Sequence, residues 1–247
     1  MAETESNPEL DLDRVAELVP VIRDRLLHIR ERVESVGGTV GGAGVDGVQV
    51  MAVTKGHPPE VAAAALEVGA HLLGESYAQE LVRKAPLIPG AAWHFIGQLQ
   101  SNKVRVVAPL VRVVESVDRA SLVRELARRS PGHEVFIEVD LARSAGLAVA
   151  GRGGVELDRV DELIDVATGA GLVVSGVMGV APYSAMQPLG PAAIGRAFGL
   201  LRSIVDRRSL RHCSMGMSDD LELAVAEGST MIRVGTALVG PRTVQAG

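Results

Sequence analysis

A single lysine closes the apolar run VQVMAVT, residues 48–54, and Gly-His-Pro-Pro turns the chain immediately after it in MAVTKGHPPE, residues 51–60. The amine of Lys55 is a candidate nucleophile, because a lysine whose surroundings lower its proton affinity can form an imine with a carbonyl compound. A second set of groups lies far along the chain, in CSMGMSDDLELAVAEGSTMIRVGTALVGPR, residues 213–242. Ser214 offers a hydroxyl beside the small-residue backbone of Met215 and Gly216, and Arg233 offers a cation just ahead of the backbone amides of Gly235 and Thr236. Donors of this kind suit an anion such as a phosphate oxygen without a Walker-type loop. In the same stretch Asp219 and Glu222 have the spacing of a capping box, and Gly228 is placed to end the helix they would start.

These groups need a scaffold that brings them together. Strand-like runs occur at residues 48–54, 71–74, 92–97, 111–117, 134–141, 173–180, 211–217 and 231–238, with amphipathic helical segments between them. Strand followed by helix at this spacing implies parallel pairing through right-handed crossovers. Eight such units predict an α/β fold, a single closed (β/α)8 TIM-type barrel; a doubly wound open sheet is the alternative. An extra helix is expected ahead of the first strand, over residues 12–36, with Leu12, Val15, Leu18, Val19, Ile22, Leu26, Ile29 and Val33 on one face and a kink at Pro20. Residues 1–11 read as a flexible acidic tail and 12–247 as one barrel domain; the glycine-rich segment 37–47 precedes a strand and reads as a connector.

Composition excludes several classes of function. The chain has 247 residues and a formal charge of −5, with 25 basic and 30 acidic residues intermixed, so nothing marks a nucleic-acid surface. LRSIVDRRSLRH, residues 201–212, reads as the solvated end of a helix. The six histidines lack metal-ligand spacing, and Cys213, the sole cysteine, reads as a small core residue, so no metal and no disulfide are expected. A lone thiol and an acidic amino-terminal segment unlike a targeting signal point to the cytoplasm. Residues 166–195 carry no charge, yet Pro182, Pro188 and Pro191 forbid a membrane-spanning helix there. Trp93 and Phe95 alternate about His94, which predicts two aromatics on one buried face and the histidine on the other.

In a barrel, function sits at the carboxyl ends of the strands. An amine after the first strand and a phosphate anchor after the last two is the arrangement that pyridoxal phosphate requires. The motifs TKGHPP, GESYAQE, WHFIGQLQSNK, GVMGVAP and SMGMSDDLELAVAEGSTMIRVGTALVGPR resemble those of the pyridoxal phosphate homeostasis proteins, the YggS/PROSC type, over residues 12–242. The resemblance implies a fold-type III barrel of the alanine racemase N-terminal kind, with pyridoxal 5'-phosphate held as a Schiff base on Lys55. It implies cofactor contacts from Ser76, Ser214, Met215, Gly235 and Thr236, with Ser214 on the phosphate and Arg233 against the pyridine nitrogen. The chain departs from the family at Ser76, where asparagine is usual, at Gln98, where histidine is frequent, and in the uncharged loop from Tyr183 to Gly195.

The function so implied is intracellular homeostasis: binding, buffering and delivering the cofactor, with apo pyridoxal phosphate enzymes as partners and the protein a monomer or weak dimer. Catalysis is not expected, because an arginine at the ring nitrogen makes a poor electron sink and the sequence stops nine residues after Leu238, where fold relatives add a second domain. The competing readings are a slow amino-acid racemase using the same imine and an aldolase-type lysine without cofactor.

Overall fold

The computed structural model describes residues 9–41, 47–144, 153–181 and 190–242. Eight strands form one closed barrel in chain order: β1 (Gln49–Val53), β2 (Leu72–Glu75), β3 (Ala92–Phe95), β4 (Val113–Val117), β5 (Glu134–Val139), β6 (Val173–Gly179), β7 (His212–Ser214) and β8 (Met231–Val234). Every neighbouring pair is parallel, and β8 returns to β1 with Met51 opposite Arg233 and Ala52 opposite Val234. Closure removes the open-sheet alternative.

Ten helices surround the sheet. They are α1 (Leu12–Glu34), α2 (Pro59–Glu67), α3 (Ala78–Lys84), α4 (Val104–Val107), α5 (Ala120–Arg129), α6 (Leu141–Ser144), α7 (Val160–Gly169), α8 (Pro191–Arg208), α9 (Leu221–Ala226) and α10 (Thr236–Val239), counted among the described residues. Asp11 caps α1 by accepting a 3.0 Å hydrogen bond from the Arg14 amide. The buried stripe of α1 is Val15, Val19, Ile22, Leu26, Ile29 and Val33, and the helix runs through Pro20 without ending. Leu12 departs from the expected stripe, being 72% exposed in the first turn, ahead of the packed residues. Most of the tail, part of the connector and residues 183–189 lie outside the described residues.

Side chains alternate across the sheet and so build two cores. Met51, Val53, Val113, Phe136, Met178 and Met231 pack inside the barrel. Ala52, Leu73, Trp93, Phe95, Ile137, Val177, Cys213 and Ile232 join the helices in the outer layer. The expected pairing of Trp93 with Phe95 holds, and His94 points the other way, edge-on to Phe136 with ring centres 6.1 Å apart.

Two local expectations fail for tertiary reasons. The last strand stops at Val234 rather than continuing to 238, because Gly235 breaks it and Thr236–Val239 turn helical. The capping box does not form: Glu222 instead accepts 2.5 and 2.8 Å hydrogen bonds from Arg32 of α1, and Asp220 precedes the helix. Gly228, at φ +87°, follows α9 as expected. Among the described residues no helix is long and apolar enough to cross a membrane, and no three metal-ligating side chains cluster.

Candidate functional site at the carboxyl end of the barrel

Lys55 stands on a buried ionic platform. Beneath it Lys84, only 3% exposed, spends its ammonium protons on three acceptors: the Thr54 carbonyl at 2.7 Å, Glu75 Oε1 at 2.6 Å and Glu80 Oε2 at 2.7 Å. Glu80 also accepts the Gly56 amide at 2.9 Å, and the second oxygen of Glu75 accepts the amides of Ser76 and Tyr77 at 2.8 and 3.3 Å. One ammonium and two carboxylates therefore fix the backbone on both sides of Lys55 and at the end of the neighbouring strand. Gly56 takes the left-handed conformation, φ +73°, that completes the turn.

Lys55 itself is half-buried, and its ammonium has no hydrogen-bond partner among the described residues. Burial lowers its proton affinity first; the Arg242 and Arg233 guanidiniums lower it further, against the opposing pull of Glu75. Those neighbours place the amine in the field of the last strand. The sequence holds only three lysines, at 55, 84 and 103. Lys84 is fully engaged, and Lys103 sits on a short helical turn after β3.

Across the seam from Lys55, β8 delivers the second wall. A Cβ added to Gly235 would lie 3.8 Å from Val53, so the turn after β8 abuts the end of β1. The amides of Gly235 and Thr236 donate to no group among the described residues. The next amide, of Ala237, donates to Ser218 Oγ at 3.4 Å. Ser218 is held in turn through its carbonyl, which accepts Arg32 Nη2 at 2.9 Å. Sequence reasoning passed over this serine, although it lies in the same SMGMS stretch as Ser214.

Inside the barrel Arg233 is 4% exposed and donates to the Gly179 carbonyl and to Ser214 Oγ, each at 2.8 Å. Burial lowers its pKa, with Glu115 first among the groups that pull it back. The Ser214 hydroxyl donates to Glu115 Oε2 at 2.7 Å, and Glu115 Oε1 lies 2.6 Å from His94 Nδ1. The expected phosphate contact of Ser214 is thus not what its surroundings show, since its hydroxyl is already shared between Glu115 and Arg233. Met215 is a second correction: strand parity turns it outward into the layer under the helices, where its sulfur lies 3.6 Å from Cys213 Sγ. Burial pushes the Cys213 thiol up to about 12, which suits a core residue.

Ser76 lies at the end of β2, one strand from Lys55, in contact with Gly97. A Cβ on Gly97 would fall 2.2 Å from the Ser76 carbonyl oxygen, so only glycine admits this approach. Asp140, directly after β5, caps α6 by accepting the amides of Ala142 and Arg143. The structure therefore gathers Lys55, Ser76, Arg233, Gly235 and Thr236 at one mouth, adds Ser218, and moves Ser214 beneath it and Met215 outside it.

The alanine racemase N-terminal domain family matches residues 25–243 of this chain. The chain is 32% identical over 228 residues to the pyridoxal phosphate homeostasis protein of Aquifex aeolicus, covering 89% of this chain and 97% of that one. It is similar to the structure of PipY from Synechococcus elongatus with pyridoxal phosphate bound, at 29% identity and a TM-score of 0.68, covering 89% of this chain and all of PipY. Alanine racemase from Bacillus anthracis shares the fold at 19% identity and a TM-score of 0.66, over 92% of this chain and 57% of the racemase.

Proposed function

Because the chain belongs to the pyridoxal phosphate homeostasis protein family, on the alanine racemase N-terminal fold, we propose that it binds pyridoxal phosphate and holds it for buffering and delivery. The observation that carries this reading is the pairing, across the β1–β8 seam, of a half-buried lysine with two amides, none of which has a partner among the described residues. The residues present fit the group at both ends. Pyridoxal phosphate, when bound, supplies an aldehyde to an amine and a phosphate to hydrogen-bond donors.

In this reading Lys55 is the amine, and its lowered proton affinity leaves more of it neutral at physiological pH than an exposed lysine would offer. Gly235 and Thr236 donate their amides to the phosphate, with the Ser218 hydroxyl beside them; Ser76 borders the same mouth. Arg233 would meet the ring nitrogen and, having no proton it readily loses, would leave that nitrogen unprotonated. Ser214 and Glu115 position Arg233 from below. An electron-poor ring is what carbanion chemistry needs, so a storage role is favoured over turnover.

The only thiol is buried and inert, which agrees with a cytoplasmic protein built without disulfides. Residues 12 onward act as one domain, a monomer or weak dimer, and the cofactor passes to apo-enzymes. Mixing the loaded protein with an apo pyridoxal phosphate enzyme should restore that enzyme's activity, and the Lys55→Ala protein should carry over none. The shared racemase fold gives the alternative its standing. Incubating amino acids with the loaded protein in deuterium oxide separates the two: enzyme-like deuteration at Cα, lost in Lys55→Ala, would overturn the storage reading.

A further inference from the structure

The barrel has a second mouth. Its amino-terminal end, opposite Lys55, encloses a cavity of about 690 Å³, within the range of small-molecule sites. Phe136 and Met231 form part of its floor, the His212 ring stacks on Phe136 at 5.5 Å and 27°, and His94 reaches the cavity from β3. His94 is 3% exposed. Glu115, which accepts from Ser214 on one oxygen, accepts from His94 Nδ1 on the other. In the neutral ring a carboxylate so placed holds the hydrogen on Nδ1, which makes Nε2 the acceptor. Among the described residues Nε2 has no protein partner; it is not buried away from the cavity but opens onto it, where a donor on a bound molecule can reach it.

The rim has a different character. Arg30, Arg112 and Arg211 line it, with Glu134 the one carboxylate among the described residues of the lining. Glu134 lies 3.7 Å from Arg112, whereas Arg30 and Arg211 have no ion pair or hydrogen bond to another side chain among the described residues. In a chain of net charge −5 this is a local excess of positive charge. From Ala92 at the rim to His94 is two residues along β3, or about 7 Å at the rise of a strand.

We propose that this mouth is a second binding site, for a small anion with a flat or apolar body and a hydroxyl or amino donor at the end away from its charge. The anion lies with Arg30 and Arg211, the body against Phe136 and His212, and the donor on His94 Nε2. The site meets the Lys55 mouth only through Glu115, which holds His94 on one oxygen and Ser214 on the other, and it does not rest on the cofactor reading.

The test uses 4-hydroxybenzoate, which places a carboxylate and a hydroxyl at opposite ends of a flat ring, with binding to the full chain followed by titration calorimetry. One molecule binds per chain; benzoate, lacking the donor, binds about fivefold more weakly. The double variant Arg30→Ala/Arg211→Ala, which changes only exposed side chains, binds about tenfold more weakly. Binding moves the His94 Nε2 resonance, and Lys55→Ala leaves the affinity unchanged. Absence of binding at millimolar concentration, equal binding of benzoate, indifference to the arginine changes, a still His94 resonance, or loss of binding in Lys55→Ala each overturns the site.

Discussion

The turn after β1 and the helix after β2 each carry a lysine to the same corner of the barrel, and the two side chains have opposite surroundings. Lys84, on α3, is buried with three acceptors for three protons. Lys55 is half-buried, and among the described residues has no acceptor at all. An ammonium surrounded by carboxylates is structural, because its charge is matched and its protons are committed. One that shares its neighbourhood with two guanidiniums instead is prepared to lose its proton. The first lysine holds the floor on which the second is displayed.

Four changes sharpen or break this contrast. The largest effect belongs to Lys84→Met, which leaves Glu75 and Glu80 without their counter-ion in a buried setting. Urea unfolding should show a loss of about 3–5 kcal/mol, and a loss below ~1 kcal/mol would make the platform incidental. Gly97→Ala comes next, since its Cβ must displace the Ser76 backbone. A drop of about 1–3 kcal/mol in thermal or chemical unfolding is expected, with weakened cofactor retention because the end of β2 moves.

Lys55→Met should do the reverse of Lys84→Met. The folded-state pKa of Lys55 lies below its unfolded value, so the ionised amine costs stability below the folded pKa, and that cost is relieved as pH rises toward the unfolded one. At neutral pH the variant should match or slightly exceed the parent, within ~0.5 kcal/mol, while losing the cofactor. A marked destabilisation would mean that Lys55 is structural after all. The smallest effect is on titration: acylation of Lys55 in the cofactor-free protein should have a midpoint below that of an ordinary lysine. Arg242→Ala should move it up, and added salt should do the same by screening the exposed arginine. A midpoint at or above the ordinary value would contradict the surroundings described for this amine.

Much of this was legible in the sequence because it depends on short-range pattern. Apolar runs of strand length, broken by amphipathic segments, give eight strands, and polar residues at their ends give Lys55, Arg233, Gly235 and Thr236. What was not legible depends on which face of a strand turns inward and on contacts between distant segments. Met215 and Ser214 are adjacent, and only the register of β7 in the closed barrel decides that the serine faces in and the methionine out. Lys84 ends an amphipathic helix, where a basic residue usually complements the helix dipole in solvent; its burial needs Thr54, thirty residues earlier. Glu222 has capping-box spacing, yet Arg32, 190 residues away, takes it. Ser218 gains meaning only when α10 folds back beside it.

With only three lysines in the chain, the amine that takes the cofactor can be mapped directly. Pyridoxal phosphate is added to the protein, borohydride reduces the adduct, and the digested peptides are mapped by mass. The label is expected on Lys55 and not on Lys84, whose three protons are already committed. A label confined to Lys84 or Lys103, or no label on a protein that still carries the visible band of the bound cofactor, would contradict that expectation.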